Sequence, residues 1–475
     1  MKNEEIYQEL VSVVGEKNVS TRDTDRIAYG RDAYQLKIIQ YRLPSILKQP
    51  FPDYIVWVES VEQISSVLKL ANEKKIPVIP YGGGAGANGG IVPLTGGISL
   101  DLKKLKRMEI HEEANYVLCQ AGVIGQHLEN FLNRKGYTLG HLPSSLTTST
   151  IGGFVATRSA GALSSLYGSF ENMVLDLEVV LPSGQVIHTN RSRVPRKATG
   201  PNFNELFIGS EGTLGIVTDS CLKIRRNPDI REFAGFLFPS LTAGLQTVRK
   251  IMNLGIRPSI IRLYEAVEAR IVYHIEEIEN EQSYLTLSFD GFEETKEFVE
   301  DQKRICTNIC LNAGAKDMGD EGGKIWFKNR LNMYYPNPDW LNANILADTM
   351  DVVTTYDNLE NLFYKMKEAM QSKKVRVMAH WSHFYLEGCS MYLIFVMLEK
   401  ETEKDPTASN LYKETWRNGW KTCIENGGSI SHHHGIGLRG EFMEQELGSG
   451  TYQLLKGIKN YLDPNGIMNP GKLGL

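Results

Sequence analysis

Apolar positions along this chain follow two periods. Tyr54–Val58 (YIVWV) is a continuous apolar run of strand length. Ser60 follows, with Gln63 three positions on, the polar pair of a capping box. Val61, Ile64, Val67, Leu68 and Ala71 then recur at helical spacing, and Pro77–Pro80 (PVIP) reads as the next strand, so residues 54–80 predict a β-α-β unit. Further strands are predicted at Ile98–Leu102 and Tyr116–Gln120, and a helix over Ile124–Arg134. Leu175–Leu181 and Gln185–Thr189 form a predicted hairpin across Pro182-Ser183-Gly184. Beyond Asn227-Pro228 the glycines thin out, and helical patterns alternate with strands such as Ser259–Leu263 and Tyr284–Phe289. Residues 399–425 read as a charged helix. Thr451–Leu462 is an amphipathic helix stopped by Asp463-Pro464-Asn465-Gly466. Four segments result: 1–50 helical, 51–227, 228–425, and a return segment 426–475.

Three glycine-rich stretches interrupt this pattern. The first is YGGGAGANGG (Tyr81–Gly90), directly after a strand. The second is GHLPSSLTTSTIGGFVATRSAGALSSLYG (Gly140–Gly168), and the third is FIGSEGTLGIVT (Phe207–Thr218). Small residues let a backbone approach a flat or anionic ligand closely, and exposed amides in such turns hold phosphate oxygens. The first loop leads to the strand at residue 98 instead of opening a helix, which disfavours a GxGxxG nicotinamide site.

At 475 residues, 42% hydrophobic and 23% charged, the chain predicts two or three globular domains. A net charge of −4 favours neither nucleic acid nor an anionic membrane surface as a bulk electrostatic partner. The longest apolar run, near Tyr392–Leu398, is far short of a membrane span. MKNEEIYQEL lacks the basic start and apolar stretch of a secretion signal, so a cytoplasmic location is the expectation. Six scattered cysteines without a CxxC pair read as reduced, mostly buried thiols.

The three glycine stretches, in this order and spacing, and the terminal NYLDPNGIMNPGK resemble the flavin-binding module of the vanillyl-alcohol oxidase superfamily, the p-cresol methylhydroxylase-type FAD domain. The resemblance implies an α+β fold: a two-subdomain FAD-binding domain over 51–227, an α/β substrate (cap) domain over 228–425, and a C-terminal return to the flavin. It implies FAD contacts from Pro80, Gly82, Gly83, Gly84, Ala85 and Gly86, and from Pro143, Ser144, Thr147, Thr150, Gly152, Gly153, Ala160 and Gly161. Glu211, Gly212 and Ile216 would sit near the ribityl or adenine side. Members often attach FAD through a histidine in the first glycine loop. That loop has none here, so non-covalent FAD is expected.

Two branches of the superfamily fit the length. D-2-hydroxy-acid dehydrogenases carry a GHxGDGNxH strand and a Glu-His pair that bind a divalent metal. Here the matching segment is SHFYLEGCSMYL, with Tyr385 and Tyr392 in place of the two histidines, and the later pair reads His433-His434. Phenols suit such metals poorly, so no metal is expected. Alkylglycerone-phosphate synthases carry three histidines before Gly-x-Gly, as His432-His433-His434-Gly-Ile-Gly does. In that branch Tyr392 falls on the catalytic tyrosine, Arg262 in SIIRLYE on a phosphate-binding arginine, and Arg196 on an active-site arginine. The residue chemistry agrees: imidazole moves protons near neutral pH, a phenol donates to a leaving oxygen, and a guanidinium forks onto phosphate or carboxylate.

Plainer readings exist. Three adjacent histidines also suit a solvated turn, though less so inside GGSISHHHGIG of a flavin fold. Arg196 lies among Arg191, Arg193 and Lys197 and reads equally as a solvated loop. Trp326, Tyr334 and Tyr335 are candidate pocket walls, and more often such aromatics are core. The synthase-like reaction, exchange of acyl for alkyl on dihydroxyacetone phosphate without net redox, is the first expectation. A metal-independent FAD-dependent D-2-hydroxy-acid or alcohol dehydrogenase is the second. The expected partners are a small-molecule or lipid-phosphate substrate, a peripheral membrane contact and a second copy in a homodimer, with no nucleic acid.

Overall fold

The computed structural model describes residues 3–40, 50–332, 345–400 and 407–475; Tyr334 and Tyr335 lie outside them. The first sheet holds β1 (Val19–Ser20), β2 (Tyr54–Trp57), β3 (Val78–Tyr81) and β4 (Ile98–Asp101), ordered β1-β2-β4-β3. β2 and β3 both run parallel to β4, and β1 is antiparallel to β2. The helix Val61–Lys74 crosses between β2 and β3 as its spacing predicts, burying Ile64, Val67, Leu68 and Ala71. Ile64, Val67 and Leu68 each contribute about 1.5–3 kcal/mol on full burial. Its N-terminus is closed by Ser60, whose hydroxyl accepts the Gln63 N–H (3.3 Å), while the Gln63 amide oxygen accepts the Glu59 N–H (2.7 Å).

The second sheet, ordered β5-β6-β10-β8-β9, comprises β5 (Met108–His111), β6 (Tyr116–Gln120), β8 (Val174–Val180), β9 (Val186–His188) and β10 (Ile216–Lys223). β7 (Tyr137–Thr138) pairs with β11 (Arg225–Arg226) beside it. β8 and β9 form the predicted hairpin, with Val180 opposite Val186. The third sheet has seven strands: β12 (Ile230–Phe238), β13 (Ile260–Glu265), β14 (Ser283–Gly291), β15 (Lys316–Gly319), β16 (Ile345–Thr355), β17 (Val375–Phe384) and β18 (Gly388–Lys400). Their order is β15-β12-β14-β13-β17-β18-β16, antiparallel throughout. Register places Tyr284, Tyr264, His380, Tyr392 and Asp351 in one row across five neighbouring strands. Directly opposed residues share a face, so this row presents one polar line.

Three hydrophobic clusters hold the layers. One joins the first sheet to the helix Val61–Lys74 and takes in Ile467 and Met468 from the chain's end. Met468 bridges to Val78 in parallel, so the terminal segment docks beside β3. The second cluster joins the second sheet to Phe233, Ile260 and Tyr264 of the third and to Trp326 on the helix Glu321–Asn329. The third packs the seven-stranded sheet against helices that include Leu241–Asn253, Leu359–Met370 and Thr407–Glu425. Among the described residues no helix is long and apolar enough to cross a membrane. The six cysteines are free and buried.

Candidate active site

A cavity of about 680 Å³ lies where the three sheets meet, a volume in the range of small-molecule and cofactor sites. One half is walled by the glycine stretches. Pro80, Gly82, Gly83, Gly84, Ala85, Gly86, Pro143, Ser144, Thr150, Gly152, Gly153, Ala160, Glu211, Gly212 and Ile216 all line it. Three predicted contacts do not. Thr147 is exposed and outside the wall, and Gly161 lies behind it. A Cβ on Gly161 would stand 2.5 Å from the Leu142 amide nitrogen, so this glycine seats the strip carrying Pro143 and Ser144. Arg196 is exposed on the loop after β9 and takes no part in the wall.

The first two glycine stretches touch each other. A Cβ on Gly83 would fall 1.9 Å from the Thr148 carbonyl oxygen, and one on Gly82 2.3 Å from Thr150 Oγ1. No residue but glycine permits that approach. Lys103 braces the loop, donating to the Gly82 carbonyl (3.1 Å) and to Asp101 (2.6 Å). Glu211 closes the far side at φ +50, and its carboxylate accepts the N–H groups of Ile436 (2.6 Å) and Gly437 (2.9 Å). Burial pushes Glu211 up to about 7 against the pull of those N–H groups and of Lys472. Asn469 donates to the carbonyls of Gly90 (2.9 Å) and Glu211 (2.7 Å), and its own Oδ1 is buried on the cavity wall without a partner.

The other half is walled by the polar row of the third sheet and by the histidine segment. Asp351 organises that segment. Its Oδ2 accepts the backbone N–H of His432 (3.1 Å), His433 (2.7 Å) and His434 (2.9 Å). The same carboxylate stands 3.3 Å from His433 Nδ1 and 3.2 Å from His434 Nδ1. Burial opposes its charge, but His434, His433 and the N–H groups hold it well below the usual carboxylate range. His434 is correspondingly raised: burial lowers it, and Asp351 more than restores it. Its Nε2 bonds the Tyr392 hydroxyl. Burial and the neighbouring imidazoles push His433 well down, so it is neutral, with Tyr392 3.5 Å from its Nε2. His432 bonds Tyr385 through Nε2 (2.7 Å) and His433 through Nδ1 (2.8 Å). His433, His434 and Tyr392 line the cavity, and His432 stands behind them.

Arg262 also lines the cavity. Its Nε donates to Tyr264 (2.6 Å), its Nη2 to His380 Nε2 (2.6 Å), and the Trp326 ring covers it at 4.8 Å. Trp326 is both core and wall.

In the sequence His383 stands out only as a metal candidate beside His380, with nothing else to support it. Strand alternation assigns it to the face opposite His380 and Ser382. A bulge between Ser382 and Phe384 gives His383 φ +52 and turns it into the wall beside Ser382, the re-aiming a bulge provides. Ser164 Oγ holds its Nδ1 (2.7 Å), Ser165 Oγ accepts the Phe384 N–H (3.2 Å), and Ser169 Oγ meets the Tyr385 hydroxyl (3.2 Å). The tail of the second glycine stretch thus clamps the bulge of the third sheet.

Ligand atoms of His383, His432 and His433, and of Asp351, His433 and His434, cluster within 4.8 Å among the described residues. Asp351 Oδ2 is already spent on three N–H groups and His383 Nδ1 on Ser164, a donor set arranged for hydrogen bonding.

Fold and cavity together define a flavin-dependent enzyme. Residues 52–190 match the FAD binding domain, and residues 227–473 match the C-terminal domain of FAD linked oxidases. The chain belongs to this FAD-linked oxidase family, and its cofactor is FAD. It is 29% identical over 453 residues to the alkyldihydroxyacetonephosphate synthase of Dictyostelium discoideum, covering 89% of this chain and 73% of that one. It is 31% identical over 493 residues to the uncharacterized FAD-linked oxidoreductase YgcU of Escherichia coli K12, covering 98% of each. The mitochondrial D-lactate dehydrogenase (cytochrome) of Arabidopsis thaliana is 29% identical over 433 residues, covering 89% and 73%. A solved alkyldihydroxyacetonephosphate synthase superposes with a TM-score of 0.84 at 25% identity, covering all of this chain and 86% of that one. p-Cresol methylhydroxylase shares the fold at a TM-score of 0.80 and 18% identity, covering 99% of this chain and 96% of that one.

Proposed function

We propose that the protein is an alkylglycerone-phosphate-synthase-like transferase that replaces the acyl group of acyl-dihydroxyacetone phosphate by an alkyl group from a fatty alcohol. The observation that carries this reading is the Asp351–His434–Tyr392 chain beside a neutral His433, in the place where a dehydrogenase of the superfamily would hold its metal. The glycine wall would hold FAD without a covalent bond, with Gly82 to Gly86 taking its pyrophosphate, and Glu211 secures the return segment. Bound FAD supplies an electron-poor ring to the reaction.

The chain's own groups do the rest. Arg262 holds the substrate's phosphate with a donor-only fork. His433 accepts a proton from the first carbon of the substrate, and the Asp351 carboxylate 3.3 Å away stabilises the resulting imidazolium. Tyr392 donates to the departing carboxylate oxygen, with the cationic His434 behind it to restore the phenol proton. The fatty alcohol enters as the fatty acid leaves, its hydroxyl proton replaces the one given up through Tyr392, and His433 returns its proton to the first carbon, so no electrons are gained or lost overall. The exit of a lipid product supports a peripheral membrane contact, and a homodimer and a cytoplasmic location go with this reading.

The identity to D-lactate dehydrogenase supports a second reading, in which His433 accepts the hydroxyl proton of a 2-hydroxy acid and bound FAD would supply the two-electron acceptor. One experiment separates the two. Purified enzyme is given acyl-dihydroxyacetone phosphate with labelled hexadecanol, and in parallel D-lactate or D-2-hydroxyglutarate with an artificial electron acceptor. Ether product without acceptor reduction is expected. Acceptor reduction without ether product overturns the first reading. The His433→Ala variant should stay yellow and lose turnover in either case.

A further inference from the structure

We propose that Glu268 and His380 are positioning residues for Arg262, and that Glu268 takes up one proton from solvent when an oxyanion binds Arg262. The inference rests on Arg262 being the anion-binding group. Arg262 lies on β13, Glu268 on the helix Ala266–Tyr273 that follows it, and His380 on the neighbouring β17; all three line the cavity.

The chain of hydrogen bonds has one possible direction. A guanidinium only donates, so His380 Nε2 accepts from Arg262 (2.6 Å) and carries no proton. The ring hydrogen is therefore on Nδ1, which donates to Glu268 Oε1 at 2.7 Å. Burial and the nearby guanidinium push His380 well down, so the ring between the two charges stays neutral. Glu268 Oε2 is buried with no partner. The Glu268 carboxylate thus has one counter-charge in the chain, Arg262, and it reaches that charge through a neutral imidazole.

An oxyanion on Arg262 takes over that counter-charge. Glu268 is then a second buried negative group, and a buried carboxylate without compensation neutralises by binding a proton. Burial already pushes Glu268 up to about 8, with only Arg262 pulling it down. The other groups near it do not compensate. Glu265 is itself raised by burial and pairs with Lys367 at 3.4 Å. Tyr264 and Tyr273 are raised phenols. Arg270 is turned to the Ile278 carbonyl. The helix Glu321–Asn329 contributes Trp326, and its Glu321, Lys324 and Lys328 are exposed. His380 also stacks on Tyr392, centroids 4.9 Å apart and planes 16° from parallel, so it sets the anion arm against the proton-donating phenol.

The test uses FAD-loaded protein and two probes that do not titrate between pH 6 and 9.5, sulfate for a phosphate and acetate for a carboxylate. Dissociation constants are read from the flavin absorbance or tryptophan fluorescence. The bound anion should be held with constant affinity up to about pH 7.5 and lose close to tenfold per pH unit above pH 8, as one linked proton requires. Glu268→Gln should be flat over the whole range. Glu211 and Lys472, which titrate near the glycine wall, remain in that variant as the internal control. His380→Phe, which keeps the stacking and loses both hydrogen bonds, should weaken anion binding at least tenfold with unchanged flavin content. In the unmodified protein, a pH-stat should record about one proton taken up per sulfate at pH 9 and none at pH 6. A parent profile without slope, or the parental slope retained in Glu268→Gln, overturns the relay. Failure of both anions to bind the parent overturns the assignment of Arg262 itself. The stronger-binding probe names the headgroup class.

Discussion

Asp351→Asn is the substitution that bears most directly on the site. The side chain is nearly isosteric, so the change is one of charge and of one acceptor. Asp351 is 2% exposed on β16, and one of its oxygens accepts three N–H bonds. Hydrogen bonds to a charged group contribute about 1.5–3 kcal/mol each, against about 0.5–1.5 for neutral ones. Loss of the charge therefore removes about 1 kcal/mol from each of three bonds. The asparagine NH2 must also face an imidazole Nδ1 or a backbone N–H. The total, about 3–4 kcal/mol, agrees with the roughly 3–5 kcal/mol lost when a buried pair is broken from one side. For a domain of about 200 residues this lowers the melting temperature by roughly 6–16 °C.

Two titrations shape the pH dependence. The carboxyl of Asp351 is depressed, so its stabilisation is present above the unfolded value near 4 and is lost as pH falls through the acid range. His434 is raised, so its share is present below about 6.5 and is lost as pH rises through its folded value. The gap between parent and variant should thus be widest between about pH 4 and 6.5. Calorimetry of the FAD-loaded proteins at half-unit steps reads it directly. A variant melting within about 2 °C of the parent, or a gap constant from pH 4 to 9, would refute this account of the histidine segment.

Other perturbations probe other parts of the site. Tyr392→Phe should retain flavin and melting temperature and lose about 10²–10⁴-fold in turnover, the usual loss with a positioned proton donor; an unchanged rate excludes the phenol. Gly83→Ala drives a methyl to 1.9 Å from the Thr148 carbonyl, so the ratio of flavin to protein absorbance should collapse, and full flavin content would sink the cradle. Glu211 stands at about 7 when folded, so parent stability should fall by about 3 kcal/mol as pH rises from about 4.5 to 7; Glu211→Gln should flatten that interval in urea titrations. Dialysis against a chelator should leave turnover intact, and a stoichiometric ion found by elemental analysis would restore the metal-dependent branch.

The elements most legible in the chain are those whose cause is local. The Ser60–Gln63 pair and the 3.6 period locate a helix because capping and burial act within one turn. The glycine stretches are legible because only glycine lets Gly83 lie on Thr148. Residue patterns do not reveal Asp351, one of several polar residues in a strand. It matters because register sets it opposite Tyr392, some forty residues away. Glu268 and His380 are hidden for the same reason, since β13 and β17 meet only after a long excursion of chain. Arg196 shows the converse: the resemblance assigns it to the active site, the cations around it read equally as a solvated loop, and in the fold it is exposed.

The row Tyr264–His380–Tyr392–Asp351 explains why both halves of the cavity must form together. Cross-strand neighbours on one face approach within about 5 Å, so these residues make a continuous polar line from Arg262 to the histidine segment. The histidines join that line through Asp351 and through the Tyr392 hydroxyl, and their segment reaches the glycine wall through Glu211 and Asn88. On the opposite side, Ser164 and Ser165 of the second glycine stretch and Ser169 just after it pin the bulge that carries His383. Each half is therefore held by hydrogen bonds from the other, and those bonds lose their partners if the two separate. Loss of FAD, which loosens the glycine wall, should consequently also loosen His383 and the histidine segment. Amide hydrogen exchange at 380–385 and 430–437, faster in flavin-free than in flavin-loaded protein, is the expected signature. Equal protection in the two forms would show that the third sheet builds its half of the site unaided.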